Sequence, residues 1–359
     1  MNRDYNPKGV KFFYIYKTLA HPELAGNYVQ PFTLEERLSH ARQAERQLGG
    51  TIPWIVDAMD NRLKHALGDR PNSEFIVNPE GIIVCKRQWS HPAQVRKDLE
   101  NLVGPVSHVT KEEDVVLDLQ LPLKAPAARG VVPRLRRGKM QPLVMEPLIE
   151  PAHVPFFAKL RAEADQQLMT RGTGQMYVGF HVDPFHNAHW NNLTEPLSFE
   201  LEVPHGVKID KLRYQAPKLE VTSDTDPREF LLNIEAWPED EPIQLTVTYF
   251  ACVGEESCHM VRQKYTLHRR RDEDAGGARG EGAGFWEADE FSEQLISGDT
   301  DKDGKLSRSE VRGLVLPHFE TLDQDGDGLL DIEELRTVSD WLNFHHKPGI
   351  PSSELKLNP

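Results

Sequence analysis

The chain has 359 residues, 38% hydrophobic and 27% charged, which is the balance of two or three globular domains joined by some looser segments. No apolar run approaches the roughly 18–20 residues that a bilayer-spanning helix needs, and the opening stretch Met1–Pro7 holds no apolar core of a signal peptide. A formal net charge of -14 argues against general nucleic-acid binding.

The first hundred residues alternate strand and helix signals. Lys11–Tyr16 is a β-prone apolar run. Thr33 and Glu36 form a capping box, and Leu34, Leu38, Ala41, Ala44 and Leu48 follow at helical spacing until Gly49-Gly50. Ile52–Val56 is a second strand. Glu74–Val77 and Ile82–Cys85 flank a turn and form a hairpin. Pro92 opens a helix with Val95, Leu99, Leu102 and Val103 on one face.

Phe13–Tyr16 followed by Ala20-His21-Pro22, then Pro53–Asn61 with its V-D-x-M-D-N segment, then Pro71–Val77 and Gly81-Ile82-Ile83, resemble the iodothyronine deiodinase family over about residues 8–104. The resemblance implies a thioredoxin-like α/β fold. It also implies a selenocysteine or cysteine nucleophile between a first strand and a first helix. This chain begins after that segment, so the domain is expected to be truncated or to have lost its chemistry. An acidic pair of the family is replaced by Thr18 and Leu19. His21 matches the family's histidine and implies help with proton transfer; its own context also fits a surface histidine at a strand end. Asp57, Asp60 and Asn61 are either polar rim groups or turn formers. Pro71 is a candidate cis-proline, and Cys85 is expected to be buried rather than reactive.

Residues 105–170 are rich in proline and carry a basic cluster, Arg134, Arg136, Arg137 and Lys139. They are expected to form a long linker, with one or two strands and a short helix near Phe156–Ala164. The cluster is expected to be solvated, with contact to an acidic partner as the other reading. Residues 171–271 carry recurring strand patterns, Met176–Val182, Leu197–Val203, Phe230–Trp237, Ile243–Ala251 and Lys264–His268, separated by turn formers. That spacing suits a β-sandwich. His181, His186 and His189 lie close in sequence, but Asp183–Asn187 reads better as a turn than as part of a metal site.

The apolar strand Thr248–Ala251 leads into Cys252 and Cys258 at C-x5-C spacing, and His189-Trp190-Asn191-Asn192 is an aromatic-polar stretch. These features resemble the immunoglobulin-like N-terminal domain of the bacterial disulfide reductase DsbD over about residues 172–270. The resemblance implies that Cys252 and Cys258 exchange electrons with a thioredoxin-like partner. A structural disulfide and two idle thiols are the other readings of the pair. Glu255 and Glu256 between them disfavour a thiolate.

After a Gly- and charge-rich linker at 272–286, two loops fit D-x-D-x-D-G-x5-E in full: Asp299–Glu310 and Asp323–Glu334. Calcium is a hard cation that takes six to eight oxygens. Asp299, Asp301 and Asp303, and Asp323, Asp325 and Asp327, supply carboxylates. Gly304 and Gly328 turn sharply. Lys305 and Leu329 offer backbone carbonyls. Ser307 and Asp331 stand at the position that often acts through water, and Glu310 and Glu334 close each shell. Leu306 and Leu330 are placed to meet in a short β contact. The additional acid Asp331 is expected to make the second loop tighter. Both loops resemble the EF-hand family over about residues 287–345. Only 12 residues separate Glu310 from Asp323, and Pro317 interrupts them, so a compact pair with a structural or buffering role is expected.

The combined expectation is a multidomain α+β chain: a truncated thioredoxin-like α/β domain at 1–104, a linker at 105–170, an immunoglobulin-like β-sandwich at 171–271, a flexible linker at 272–286 and an α-helical EF-hand pair at 287–345. Its function is expected to be calcium binding joined to thiol–disulfide exchange through Cys252 and Cys258, or a calcium-binding interaction scaffold whose redox domain is degenerate. A true deiodinase is a weaker third reading. The cofactor is Ca2+ and the expected partner a thioredoxin-like redox protein. A periplasmic or secreted home fits the cysteine pair and the calcium loops.

Overall fold

The computed structural model describes residues 1–19, 29–48, 50–68, 72–111, 127–128, 130–135, 140–149, 155–254, 257–275, 298–311, 316, 319–323, 326–331 and 334–335. The chain divides into two compact units, Met1–Ala20 with Pro31–Leu121, and His21–Gln30 with Pro122–Pro359. Most of the described secondary structure is β-sheet.

In the first unit α1 (Asn2–Tyr5) precedes β1 (Tyr14–Tyr16), α2 (Leu34–Leu48), β2 (Trp54–Val56), α3 (Arg62–Leu67), β3 (Glu74–Val77), β4 (Ile83–Arg87) and α4 (Pro92–Val103). The helix start expected at Thr33 is there: the Glu36 N–H donates to Thr33 Oγ1 at 3.1 Å, and Glu36 Oε2 accepts from the Phe32 N–H at 2.7 Å. Strand β1 pairs with β2 in parallel, as a strand–helix–strand unit requires, and β3 pairs with β4 as an antiparallel hairpin. Among the described residues these remain two separate two-stranded sheets. The continuous sheet expected of a thioredoxin-like domain is not formed by these four strands.

The second unit holds β5 (Gln141–Pro147), β6 (Ala158–Ala164), α5 (Gln166–Arg171), β7 (Gly174–Val182), β8 (Ala188–Asn191), β9 (Ser198–Glu202), β10 (Lys208–Ile209), β11 (Arg213–Gln215), β12 (Ser223–Asp224), β13 (Arg228–Ala236), β14 (Ile243–Val253) and β15 (Ser257–Arg271). All of their pairings are antiparallel. Strand β5 connects two halves: Gln141 and Pro142 pair with β6, and the rest of the strand pairs with β15. One half runs β10-β13-β7-β6. The other runs β15-β14, with β9 and β8 sharing the far side of β14. The halves pack face to face. Phe180 of β7 lies 5.6 Å from Phe199 of β9, and the Tyr249 hydroxyl of β14 accepts from the Ala158 N–H of β6 at 3.0 Å. Leu245, Val247, Tyr249, Val261, Tyr265 and Leu267 alternate with more exposed neighbours and fill this core.

Two expectations for residues 105–170 are corrected. Ala158–Ala164 is a strand, not a helix. Its residues are good helix formers, but they alternate small or apolar with charged side chains at a period of two, and pairing on both edges decides. The helix starts only at Gln166, where the Asp165 carboxylate caps it by accepting from the Leu168 N–H at 2.7 Å. The one or two strands expected in this stretch are β5 and β6. The Asp226 carboxylate also accepts from the N–H groups of Gly130, Val131 and Val132 at 2.6–2.9 Å. Arg134, expected to be solvated, pairs in a two-pronged way with Glu229 at 3.0 Å. Arg136, Arg137 and Lys139 lie outside the described residues.

Strands β6 and β7 are buried on both faces. The side away from the apolar core carries Lys159, paired with Asp183 at 2.8 Å, and Arg161, paired with Glu163 at 2.6 Å. Tyr177 donates its hydroxyl proton to Glu229 at 2.7 Å. Burial pushes Glu229 up, but Arg134, the Leu135 N–H and Tyr177 outweigh it and hold its carboxyl below the usual range.

In the C-terminal part, β16 (Leu306–Ser307) pairs with β17 (Leu329–Leu330), and α6 (Phe319–Leu322) precedes the second acidic loop. Leu306 and Leu330 stand opposite each other, as the loop spacing requires. Leu306, Val311, Phe319, Leu322, Leu330 and Leu335 are buried.

Candidate functional sites

The first acidic loop is folded around its own side chains. Asp299 Oδ1 accepts from the Lys302 N–H at 2.6 Å, and Oδ2 accepts from the Gly304 N–H at 2.8 Å. Gly304 has φ +84°, which a glycine adopts without strain. Asp303 Oδ1 accepts from the Lys305 N–H at 2.8 Å. Carboxylate oxygens of Asp299, Asp301 and Asp303 lie within 4.8 Å of one another, close enough to share one cation. The crowding shows in Asp301. The Asp303 N–H lowers its pKa, but burial and the nearby carboxylates outweigh that bond and raise it. Glu310 is tied across the loop, accepting from the hydroxyls of Thr300 and Ser307 at 2.7 Å and from both their N–H groups at 2.8 Å. Those hydroxyls, followed by the N–H groups, hold its carboxyl down to about 2.

The second loop repeats the pattern. The Gly328 N–H donates to Asp323 Oδ2 at 2.9 Å, and the Leu329 N–H donates to Asp327 Oδ1 at 2.8 Å. Asp331 and Glu334 cap each other's N–H groups at 2.9 and 3.0 Å. Asp325 lies outside the described residues. Asp323 Oδ1 is buried and has no hydrogen-bond partner among the described residues. A buried carboxylate oxygen without a partner is costly, and a cation at this position relieves that cost. The donor set, all oxygen and mostly charged, therefore fits calcium in both loops.

Lys305 reaches from the first loop to form an ion pair with Asp327 of the second. The ammonium is the largest cause of the lowered Asp327 pKa. A cation in the second loop has to share this carboxylate. Lys305→Met is therefore expected to tighten calcium binding there about twofold to fivefold, the scale of one partly exposed ion pair. Calorimetric titration of the two proteins checks this, and an unchanged or weaker second site counts against it.

Two segments, residues 294–315 and 318–339, match the family model described as EF hand. The match implies calcium binding. It spans well under half of the chain and contains both acidic loops. Neither curated proteins nor solved structures give a match. No described helix is long and apolar enough to cross a membrane.

The second constellation lies on the hairpin β14–β15. Cys252 and Cys258 stand directly opposite each other and are joined in a disulfide, with their Cα atoms 3.9 Å apart. The pair is therefore not two idle thiols. Ala251 belongs to the core face, so Cys252 points to the outer face of the sheet. Cys252 is 6% exposed, whereas Cys258 lies at the surface. The turn between the strands uses Gly254 at φ +60°. Glu255 and Glu256 lie outside the described residues.

The remaining sequence candidates separate. His181 accompanies Tyr177 at 3.3 Å, and His189 sits on β8 opposite Cys252. Among the described residues the three histidines do not gather into a metal-holding group. His21 and Pro71 lie outside the described residues. Asp57 is a turn former: its two oxygens accept from the Leu63 and Lys64 N–H groups at 3.0 and 2.9 Å and cap α3. Asn61, at φ 53°, accepts from Arg37 at 2.9 Å. Cys85 is half-buried rather than buried. Burial, and Asp98 to which the thiol donates at 3.7 Å, outweigh the lowering effect of Arg87 and raise its pKa.

Sequence reasoning missed the buried charges of β6 and β7 and the neighbour of Cys252. Alternating charges on a strand look like a solvated face, and the opposition of His189 to Cys252 depends on long-range strand register.

Proposed function

We propose that this chain is a calcium-binding protein that also carries a thiol–disulfide exchange centre, acting as an oxidoreductase or redox adaptor. The calcium part is carried by the pairing of two acidic loops through Leu306 and Leu330, with the carboxylates of Asp299, Asp301 and Asp303 already converging in the first. Asp299, Asp301, Asp303, the Lys305 carbonyl, Ser307 and Glu310 form one ligand set. Asp323, Asp325, Asp327, the Leu329 carbonyl, Asp331 and Glu334 form the other. The ion supplies charge neutralisation and a cross-link between loop positions; the loops' own N–H groups orient the carboxylates before it arrives. Glu310→Gln and Glu334→Gln each are expected to weaken their own loop by about tenfold or more, since calcium affinity follows ligand charge. Titration of each single variant separates the two sites, with the second loop binding more tightly through Asp331. Equal loss of both sites in either variant, or no loss in both, contradicts this assignment.

The exchange part rests on Cys252 and Cys258. One sulfur is reachable and the other sheltered, which lets an incoming thiolate choose its target. The resemblance to the DsbD N-terminal domain makes a thioredoxin-like dithiol the fitting partner. A deiodinase-like, thioredoxin-fold ancestry for the first unit is supported by the parallel pairing of β1 with β2 around α2 and by the V-D-x-M-D-N turn. A periplasmic or secreted home suits both a disulfide and calcium loops. The scaffold reading, calcium binding without exchange, is favoured by Cys85, whose raised pKa makes it a poor nucleophile for the first unit.

A further inference from the structure

Cys252 has two cross-strand neighbours. On one side stands its disulfide partner Cys258; on the other stands His189 of β8. Directly opposed residues of an antiparallel pair project from the same face, with Cβ atoms about 4.5–5.5 Å apart. The imidazole therefore shares the outer face of the sheet with the buried sulfur. His189 is 9% exposed, and its Nδ1 is buried with no hydrogen-bond partner among the described residues. Trp190 and Asn191, which follow it on β8, are engaged: the Trp190 ring N–H donates to the Asp226 carbonyl at 2.7 Å, and Asn191 accepts from the Leu193 N–H at 3.1 Å. An unsatisfied buried ring nitrogen costs stability and calls for a use. Burial lowers the imidazole pKa against the opposing pull of Asp224, so the ring is neutral near pH 7 and can accept a proton. Asp224 itself is occupied by Arg228 and Asn192.

The unequal exposure of the two cysteines favours one order of exchange. An incoming thiolate meets Cys258 first, which makes Cys252 the leaving group. A thiolate left at a buried position without a cation is unfavourable, and a proton delivered to it removes the charge.

We propose that His189 is the proton carrier for Cys252 during thiol–disulfide exchange. This rests on the exchange reading of the Cys252–Cys258 pair. In the reducing direction a dithiol partner loses a proton, and its thiolate forms a bond to Cys258 Sγ. The Cys252–Cys258 bond breaks, and its electron pair goes to Cys252 Sγ. His189 takes up a proton from solvent and passes it to that sulfur. The partner's second thiol then deprotonates and displaces Cys258 Sγ, which is protonated by solvent. The partner leaves as a disulfide, and the chain holds two thiols. In the oxidising direction neutral His189 takes the Cys252 proton as the thiol becomes a nucleophile.

The test uses the full chain with dithiothreitol as the dithiol, and follows the Cys252–Cys258 disulfide by alkylation and intact mass. His189→Gln is expected to keep the wild-type unfolding midpoint and to be reduced about a hundredfold more slowly, the lower range for a lost proton-transfer group. His189→Ala is expected to be equally slow and to recover when free imidazole is added, with the wild type unaffected by imidazole. Reduction of His189→Gln within about twofold of wild type, or slow variants that imidazole does not restore, overturns the role of His189 while leaving exchange intact. A wild-type disulfide that dithiothreitol does not reduce overturns the exchange reading and this role together.

Discussion

Arg228→Met is expected to lower the stability of the second unit by about 3–5 kcal/mol, the usual cost of removing one partner from a buried ion pair. Arg228 is 3% exposed and Asp224 is fully buried. The guanidinium meets both Asp224 oxygens, at 2.9 and 2.7 Å, donates to the Asp226 carbonyl at 2.9 Å and to Asn192 at 3.2 Å, and lies 5.1 Å from the centre of the Trp190 ring. This bidentate pair ties β12, the start of β13 and the loop after β8 together. Without the cation, Asp224 is a buried carboxylate held, among the described residues, by the Asp226 N–H and the Asn192 side chain. Urea unfolding followed by tryptophan fluorescence measures the loss. Arg228→Met with Asp224→Leu is expected to recover part of it, because the orphaned charge is then gone. A loss below about 1 kcal/mol for Arg228→Met would mean that water compensates the carboxylate.

The second large effect concerns the disulfide. In a Cys85→Ser background, Cys258→Ser and Cys252→Ser each are expected to abolish exchange, but to differ as thiols. Cys252→Ser leaves the surface thiol Cys258, which should react with an aromatic disulfide reagent more than about tenfold faster than the sheltered Cys252 left by Cys258→Ser. The same Cys252→Ser protein should hold a mixed disulfide after reaction with oxidised glutathione, with reduced glutathione as the leaving thiol, because no second protein sulfur is left to displace it. Each variant is also expected to lose up to about 2 kcal/mol, since the closed loop is short and the hairpin ladder already constrains it. Equal thiol reactivity in the two variants would remove the distinction between attacked and leaving sulfur.

The parts of the fold that could be read from sequence are those set by local rules. Each position of Asp299–Glu310 and Asp323–Glu334 answers a ligand or turn requirement, so the loops and the Leu306–Leu330 contact were visible. The alternation of Ile243, Leu245, Val247 and Tyr249 marked β14, and Thr33 with Glu36 marked the start of α2. Ala158–Ala164 was misread because Ala, Lys, Leu, Arg and Glu favour helices, while the decisive pairing with β5 and β7 is non-local. The same non-locality hid the charges of Lys159, Arg161 and Glu163. They look like a solvated face, yet lie buried with Asp183, Tyr177 and Glu229 around them. The cysteine spacing announced a pair but not its neighbour: only the register of β8 against β14 brings His189 to Cys252. The strand, helix, strand, hairpin and helix of the first unit were legible as elements, but among the described residues β1–β2 and β3–β4 pair separately.

Calcium titration of the metal-stripped full chain by calorimetry, beside the Glu310→Gln, Glu334→Gln double variant, tests calcium binding by the paired loops most directly. Two ions bound per wild-type chain, with both sites strongly weakened in the double variant, is the expected result. No calcium-dependent heat in the wild type, or binding that the double variant leaves unchanged, would contradict it.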